Sequence, residues 1–414
     1  MKLKMNLDNG KQTEYNKNKK AIPREDAMNE LKCTALALNE EETAHALIYS
    51  RTGRGTAMLG GDAYPMQKNI DALEWADRDT VRLVLGDETA EVFGQQEDGF
   101  PAMLDTLICK RWQAERSGLA VLSCAPNEHN AQHLLEEVIE HAVGRYASPK
   151  YLRYLVSENT FCATLMDCAE WLIEADEKTA KLLPLPFNNA VRCVPDLSPC
   201  ALRRTRMLGG TGAMAAVCAC LAGIETMGEA MRDEDVRALL GKALTEEMEP
   251  DAGFTHTENL QYAVQVCSYL ENACGSEKWP EAGENLISRY IHAILPALTE
   301  YSKKNGRLPS CLTFSISALI MLYSGVRADE QGTYMLAGKD GSIAVPDRAE
   351  ALLAFSRLSC DMPCEALAYA ALSDCEIWGC DLREIDGLEE LVTRQLQDMQ
   401  LLGVCAAMRE ASKA

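Results

Sequence analysis

Apolar positions change their spacing twice along this chain. Residues 1 to 30 have no hydrophobic period, and "NGKQTEYNKNKKAIPRED" reads as a polar, loosely attached lead-in. Between 81 and 145, short apolar runs alternate with helical stripes. "VRLVL" (81–85) is β-like and ends at Gly86-Asp87; "LAVLS" (119–123) is a second buried strand. Pro101 opens the helical "PAMLDTLICKRWQAER", in the first turn where its missing N–H is harmless. Asn130 stands where it would cap "AQHLLEEVIEHAVGRY", whose Leu134, Leu135, Val138, Ile139 and Ala142 make one face. Strand–helix–strand–helix at this spacing implies parallel pairing and an α/β domain.

From about 150 onward strand signals nearly vanish. "NTFCATLMDCAEWLIEA", "AMAAVCACLAGIETMGEAMRD", "VRALLGKALTEEM", "LISRYIHAILPALTEYSKKNG" and "CLTFSISALIMLYSG" read as helices. Lys303 and Lys304 before Gly306, and Gly325 after Tyr323-Ser324, are stop signals. The expected architecture is therefore α/β over 31–180, followed by an all-helical domain over 181–414, with the boundary in the acidic, proline-bearing stretch at 174–200.

Charge narrows the partners. Against 62 acidic residues stand 41 Lys and Arg, for a net charge of -21. A field of that sign repels polyanions, which argues against nucleic acid and against an anionic membrane surface. No apolar leader and no uninterrupted apolar run of about 18 residues is present, so a cytoplasmic protein is expected. The 17 cysteines mostly fall in apolar periodic segments and are expected as free thiols in a reducing compartment. Cys360, Cys364, Cys375 and Cys380 match zinc-knuckle spacing only loosely and are expected to be buried on two packed helices, while His129 and His133 beside Glu128 lack a third ligand. No metal site is expected.

The candidate chemistry centres on "RRTRMLGGTGAMA" (203–215). Gly210 to Ala215 spell G-x-G-x-x-A, yet three arginines in the preceding "LRRTRML" cannot form a strand covered on both faces. Gly53-Arg54-Gly55 follows the strand-like "ALIYS", but its helix stops at Gly60-Gly61, as in a hairpin turn. Neither reads as a phosphate cradle. Arg203, Arg204 and Arg206 are expected to pair with surface carboxylates, and Met207, Met214 and Met227 to fill the core.

The longer block "VPDLSPCALRRTRMLGGTGAMAAVCACLAGIETMGEAM" resembles the entry to the catalytic helix of the long-chain polyol dehydrogenase (mannitol dehydrogenase) family, in its tagaturonate reductase (altronate oxidoreductase) branch. "GFPAMLDTLICKR", "LAVLSCAPNEHN", "NTFCATLMDC" and "KKNGRLPSCLTFSISALIMLYSG" agree collinearly over roughly 75 to 400. The resemblance implies a Rossmann-like N-terminal domain that binds NAD, a helical C-terminal domain, a sugar-acid or polyol substrate, and a monomer or homodimer, or pairing with an active paralogue. It also implies metal-free hydride transfer. A lysine moves the proton, and an asparagine and a histidine hold the reacting oxygen, in a Lys-x4-Asn-x2-His pattern.

On this chain those positions carry Arg204, Gly209 and Gly212. Arginine keeps the charge but not a removable proton, and glycine offers no side-chain donor. Cofactor contacts carry over to Asp87 in "GDETAE", Asn130 and Asp167, although Asn130 is equally a helix cap. Substrate contacts carry over to Asn285 and Arg289. The family's opening strand and glycine-rich turn are not reproduced in residues 1–60, its Asp-Arg pair is Asp167-Cys168, and 167–194 is shorter than its extra strands need. The expected function is a degenerate paralogue of an NAD-dependent sugar-acid reductase. The alternatives are an active oxidoreductase with a rearranged site, in which Arg204 or Arg289 holds a carboxylate, and a helical interaction module.

Overall fold

Short, doubly buried runs build the sheet of the first unit: Val121, Leu172 and Ile173 are fully buried and Cys162 is 2% exposed. The computed structural model describes residues 46–50 and 99–414, apart from 116–117, 124–128, 169, 181–190, 273, 279–280 and 339–340. The polar lead-in at 1–30, the strand expected at 81–85, the Gly53-Arg54-Gly55 turn and Asp87 all lie outside the described residues. The chain divides into two compact units, between Leu197 and Ser198.

The first unit is α/β. Its strands β1 (Ala46–Ser50), β2 (Leu119–Ser123), β3 (Thr160–Asp167), β4 (Glu170–Glu174) and β5 (Val191–Val194) lie in sequence order in one sheet. Pairing is mixed rather than parallel throughout. β2–β3 and β4–β5 are parallel, whereas β1–β2 and β3–β4 are antiparallel. Helices α1 (Gly99–Gln113), α2 (Asn130–Gly144) and α3 (Pro149–Glu158) pack on one another, and α2 lies against β2 and β3.

"NTFCATLMDCAEWLIEA" is not a helix. It folds as the β3–β4 hairpin, with Asp167 opposite Glu170 and Cys168 at φ 52° starting the turn. A run that is apolar on both faces carries no alternation, and here β pairing on both sides decided the outcome. β4 and β5 thus occupy the stretch that looked too short for further strands.

The second unit is helical, with a small antiparallel sheet of β6 (Arg327–Ala328), β7 (Tyr334–Gly338) and β8 (Gly341–Ala344) that the pattern did not signal. Its core is α4 (Ser198–Ala222) packed on α5 (Ser310–Tyr323). α4 is the one helix among the described residues that is long and apolar enough to cross a membrane, and most of it is buried inside the unit. Met207 and Met214 are fully buried and Met227 nearly so. Gly210 lets neighbours close in: a Cβ there would stand 2.7 Å from Met248 Cε and 3.3 Å from Ile294 Cδ1. Gly306 ends its helix in the left-handed region after Lys303 and Lys304.

Fifteen described cysteines are free thiols. Cys364 is buried, but Cys360, Cys375 and Cys380 are exposed, contrary to the expectation that all four pack inside. The short connections around Cys375–Trp378 and Leu382–Glu384 leave their flanks at the surface. No group of three or more metal-ligating side chains forms among the described residues, and the His129 and His133 rings are 6.4 Å apart.

Candidate active site

The three motif positions lie on one stretch of α4 where the winding changes. Residues Arg204–Gly209 are π-helical, and Gly210–Ala222 returns to α. In a π turn residues five apart share a face, so Arg204 stands over Gly209, and Gly212 follows one α turn on. The G-x-G-x-x-A letters are therefore helix interior, with no strand or turn before them that could cradle a phosphate.

The arginines divide three ways. Arg206 Nη1 donates to Glu300 at 3.1 Å, as expected of a surface pair. Arg203 departs from that expectation. Its guanidinium is stacked between Phe254 and Tyr262, at 3.9 and 4.1 Å from the ring centroids. Arg204 has no carboxylate within ion-pair distance among the described residues, and its Nε is buried without an acceptor there.

Arg289 reaches this stretch from a second helix, Leu286–Arg289, itself followed by a π turn, Tyr290–Ile294. Its Nη1 donates to the Ala282 carbonyl at 2.9 Å and its Nη2 to the Gly209 carbonyl at 3.2 Å. Burial of the guanidinium holds its pKa below the usual arginine value, although nearby Tyr290 and Glu277 oppose that. Asn285 starts the same helix in the left-handed region (φ 52°), with its N–H donated to the Pro346 carbonyl at 2.9 Å. Its side chain is exposed.

Asp347, absent from the sequence reading, holds this helix in place together with Tyr323. Asp347 Oδ2 accepts the Ile287 N–H at 2.9 Å and the Tyr323 hydroxyl at 3.0 Å. Burial pushes the Asp347 carboxyl up, and the same burial with the adjacent carboxylate pushes Tyr323 well above its ordinary value. Nothing in the local pattern around 347 signals this role.

The residues expected at the cofactor that the structure describes, Asn130 and Asp167, belong to the first unit. Asn130 is not a cap; His129 precedes the helix and no side chain caps it. The buried Asn130 amide instead clamps β3, donating to the Thr164 carbonyl at 2.8 Å and accepting the Thr164 N–H at 3.3 Å. Asp167 closes β3 and is buried.

Comparison with known proteins bears on both units. Residues 196–400 match the mannitol dehydrogenase C-terminal domain. The altronate oxidoreductase of Halalkalibacterium halodurans is 27% identical over 396 residues, covering 82% of this chain and 75% of its own. That of Klebsiella pneumoniae strain 342 is 29% identical over 352 residues, covering 75% and 70%. A substrate-free crystal structure of D-sorbitol dehydrogenase aligns with TM-score 0.56 at 17% identity, over 74% of this chain. The chain spans 66% of that dehydrogenase, and the likeness is one of fold.

Proposed function

We propose that this chain, whose residues 196–400 match the mannitol dehydrogenase C-terminal domain, is a member of the altronate oxidoreductase branch of that family whose hydride-transfer chemistry is lost or strongly reduced. Reduction of a sugar-acid ketone puts a hydride on carbon and a proton on the carbonyl oxygen. The nicotinamide nucleotide that the family resemblance implies would supply the hydride. The protein must supply the proton and hold the developing alkoxide.

What carries the reading is the identity of the three positions on α4: Arg204, Gly209 and Gly212. An arginine does not release its proton near neutral pH, so Arg204 keeps a charge without a transferable proton. The glycines contribute no side-chain donor. Losing the general acid alone costs about 10²–10⁴ in rate, and losing an oxygen-holding donor a further 10²–10³.

The test is NADH oxidation by the native chain with D-tagaturonate, run beside a Klebsiella altronate oxidoreductase. We expect kcat at least about 10³-fold below that enzyme. Turnover within tenfold of it would contradict the proposal.

A further inference from the structure

Two of the four cysteines between 360 and 380 share one side of a single turn. Cys375 opens the short helix Cys375–Trp378, and Cys380 stands just past its end. Between them Gly379 turns the chain in the left-handed region, at φ 81°, and donates its N–H to the Cys375 carbonyl at 2.9 Å. In a helix end of this form, the residue after the glycine returns its side chain toward the residue whose carbonyl is bonded. Here both of those residues are cysteines.

Burial separates the pair from what lies between. Ile377 is fully buried and Trp378 is 2% exposed, whereas Cys375 and Cys380 are both exposed. The inward residues hold the turn down, so the two thiols stand on its outer side. The turn is also pinned from outside. Trp378 Nε1 donates to the Ala371 carbonyl at 2.8 Å, and Arg348 Nη2 donates to the Glu376 and Ile377 carbonyls at 3.2 and 2.6 Å. Burial, the Cys375 sulfur and the carboxylates of Glu384 and Asp381 together raise the Cys380 thiol above its ordinary value. The other two cysteines face opposite ways: Cys364 is buried, its Sγ donating to Gln400 Oε1 at 3.2 Å, and Cys360 is exposed.

A disulfide needs Cα atoms about 4.4–6.8 Å apart with side chains turned toward each other. A helix end folded back through Gly379 supplies that approach without help from another element. We propose that Cys375 and Cys380 form a reversible dithiol–disulfide modification site, oxidised by a peroxide in the folded chain. One thiolate attacks an oxygen of hydrogen peroxide; an S–O bond forms, the O–O bond breaks and hydroxide leaves. The second thiolate attacks the resulting sulfenic sulfur; the S–S bond forms, the S–O bond breaks and a second hydroxide leaves. The two hydroxides take up the protons released by the two thiols. Two thiols thus give up two electrons, and one peroxide becomes two waters. Carboxylates beside Cys380 keep it protonated at neutral pH, so oxidation is slow there and faster in mild base.

The experiment treats the native full-length chain with hydrogen peroxide at about pH 8.5, at doses that leave its far-ultraviolet circular dichroism unchanged. Remaining thiols are blocked with N-ethylmaleimide, and the chain is cut with Glu-C protease. Cleavage after Glu376 falls between the two cysteines, and cleavage after Glu365 releases Cys360 and Cys364. Mass spectrometry should find the two peptides joined through Cys375 and Cys380, and dithiothreitol should part them. The joined species should vanish in Cys375→Ser and in Cys380→Ser and persist in Cys360→Ser.

Thiols at 375 and 380 that stay free while Cys360 is oxidised would overturn the site. So would separate oxidation of each thiol with no bond between them, or a bond from either one to Cys360. No nucleotide or sugar is present, so the outcome is independent of the hydride chemistry proposed above.

Discussion

Asp105 shows how much one buried carboxylate can be made to do. Its side chain is fully buried on α1, yet His141 from α2, Arg145 just after that helix and Tyr151 from α3 all donate to it. Burial pushes its pKa up, but these donors, Arg145 foremost, outweigh burial and hold it below the ordinary 3.8. The stability it contributes is therefore present above pH 3.8 and is lost as pH falls through the folded-state value. Asp105→Asn turns an acceptor into a donor facing Arg145. We expect it to cost about 2–4 kcal/mol at neutral pH and to flatten the acid limb of the Tm–pH curve. Equal acid sensitivity in native and variant would show that this carboxylate does not hold the three helices together. The sequence offered only an aspartate inside an apolar stripe, because its partners come from two later helices.

At the scale of elements, the N-terminus of α5 is satisfied from outside its own segment. Glu247 accepts the Cys311 N–H at 3.2 Å and the Leu312 N–H at 2.9 Å, so a distant carboxylate caps a helix preceded by Pro309. Burial raises the Glu247 pKa above 4.5 despite those bonds. The sign is opposite to that of Asp105: the contribution is fully present below pH 4.5 and fades as pH rises through the folded value. Glu247→Ala leaves two buried N–H groups unpaired and should cost about 2–4 kcal/mol, seen as a lower urea midpoint; Glu247→Gln should remove the pH slope and cost less. A null effect of Glu247→Ala would mean that α5 is capped by other means.

Helices with one apolar stripe and a clear stop were legible: Leu134, Val138 and Ala142 are buried, and Gly306 ends its helix as its neighbours indicate. Phe161 to Leu165 were not, because apolar residues on both faces of a strand mimic a buried helix. Asn130 likewise looked like a cap, since the polar residue at a helix start gives no sign that a strand residue, Thr164, claims its amide.

Across the whole molecule, the α/β and helical scaffold was readable from the sequence. The positions on which the proposed function rests, Arg204, Gly209 and Gly212, lie on the helix at the core of the second unit. The contact between Arg289 and this helix was not readable: Arg289 is 80 positions from Gly209 along the chain, and only folding brings its Nη2 to that carbonyl. Retaining a mannitol dehydrogenase fold while exchanging its proton carrier for a permanent cation is the central claim. The pH profile of any NADH-dependent reduction of D-tagaturonate by the native chain, followed from pH 6 to 9, tests it most directly. With no titrating proton carrier on α4, the rate should be indistinguishable from the uncatalysed reaction, or low and flat with pH. A profile with a titrating limb in that range, at rates well above the uncatalysed reaction, would reveal a working acid–base group and contradict the account.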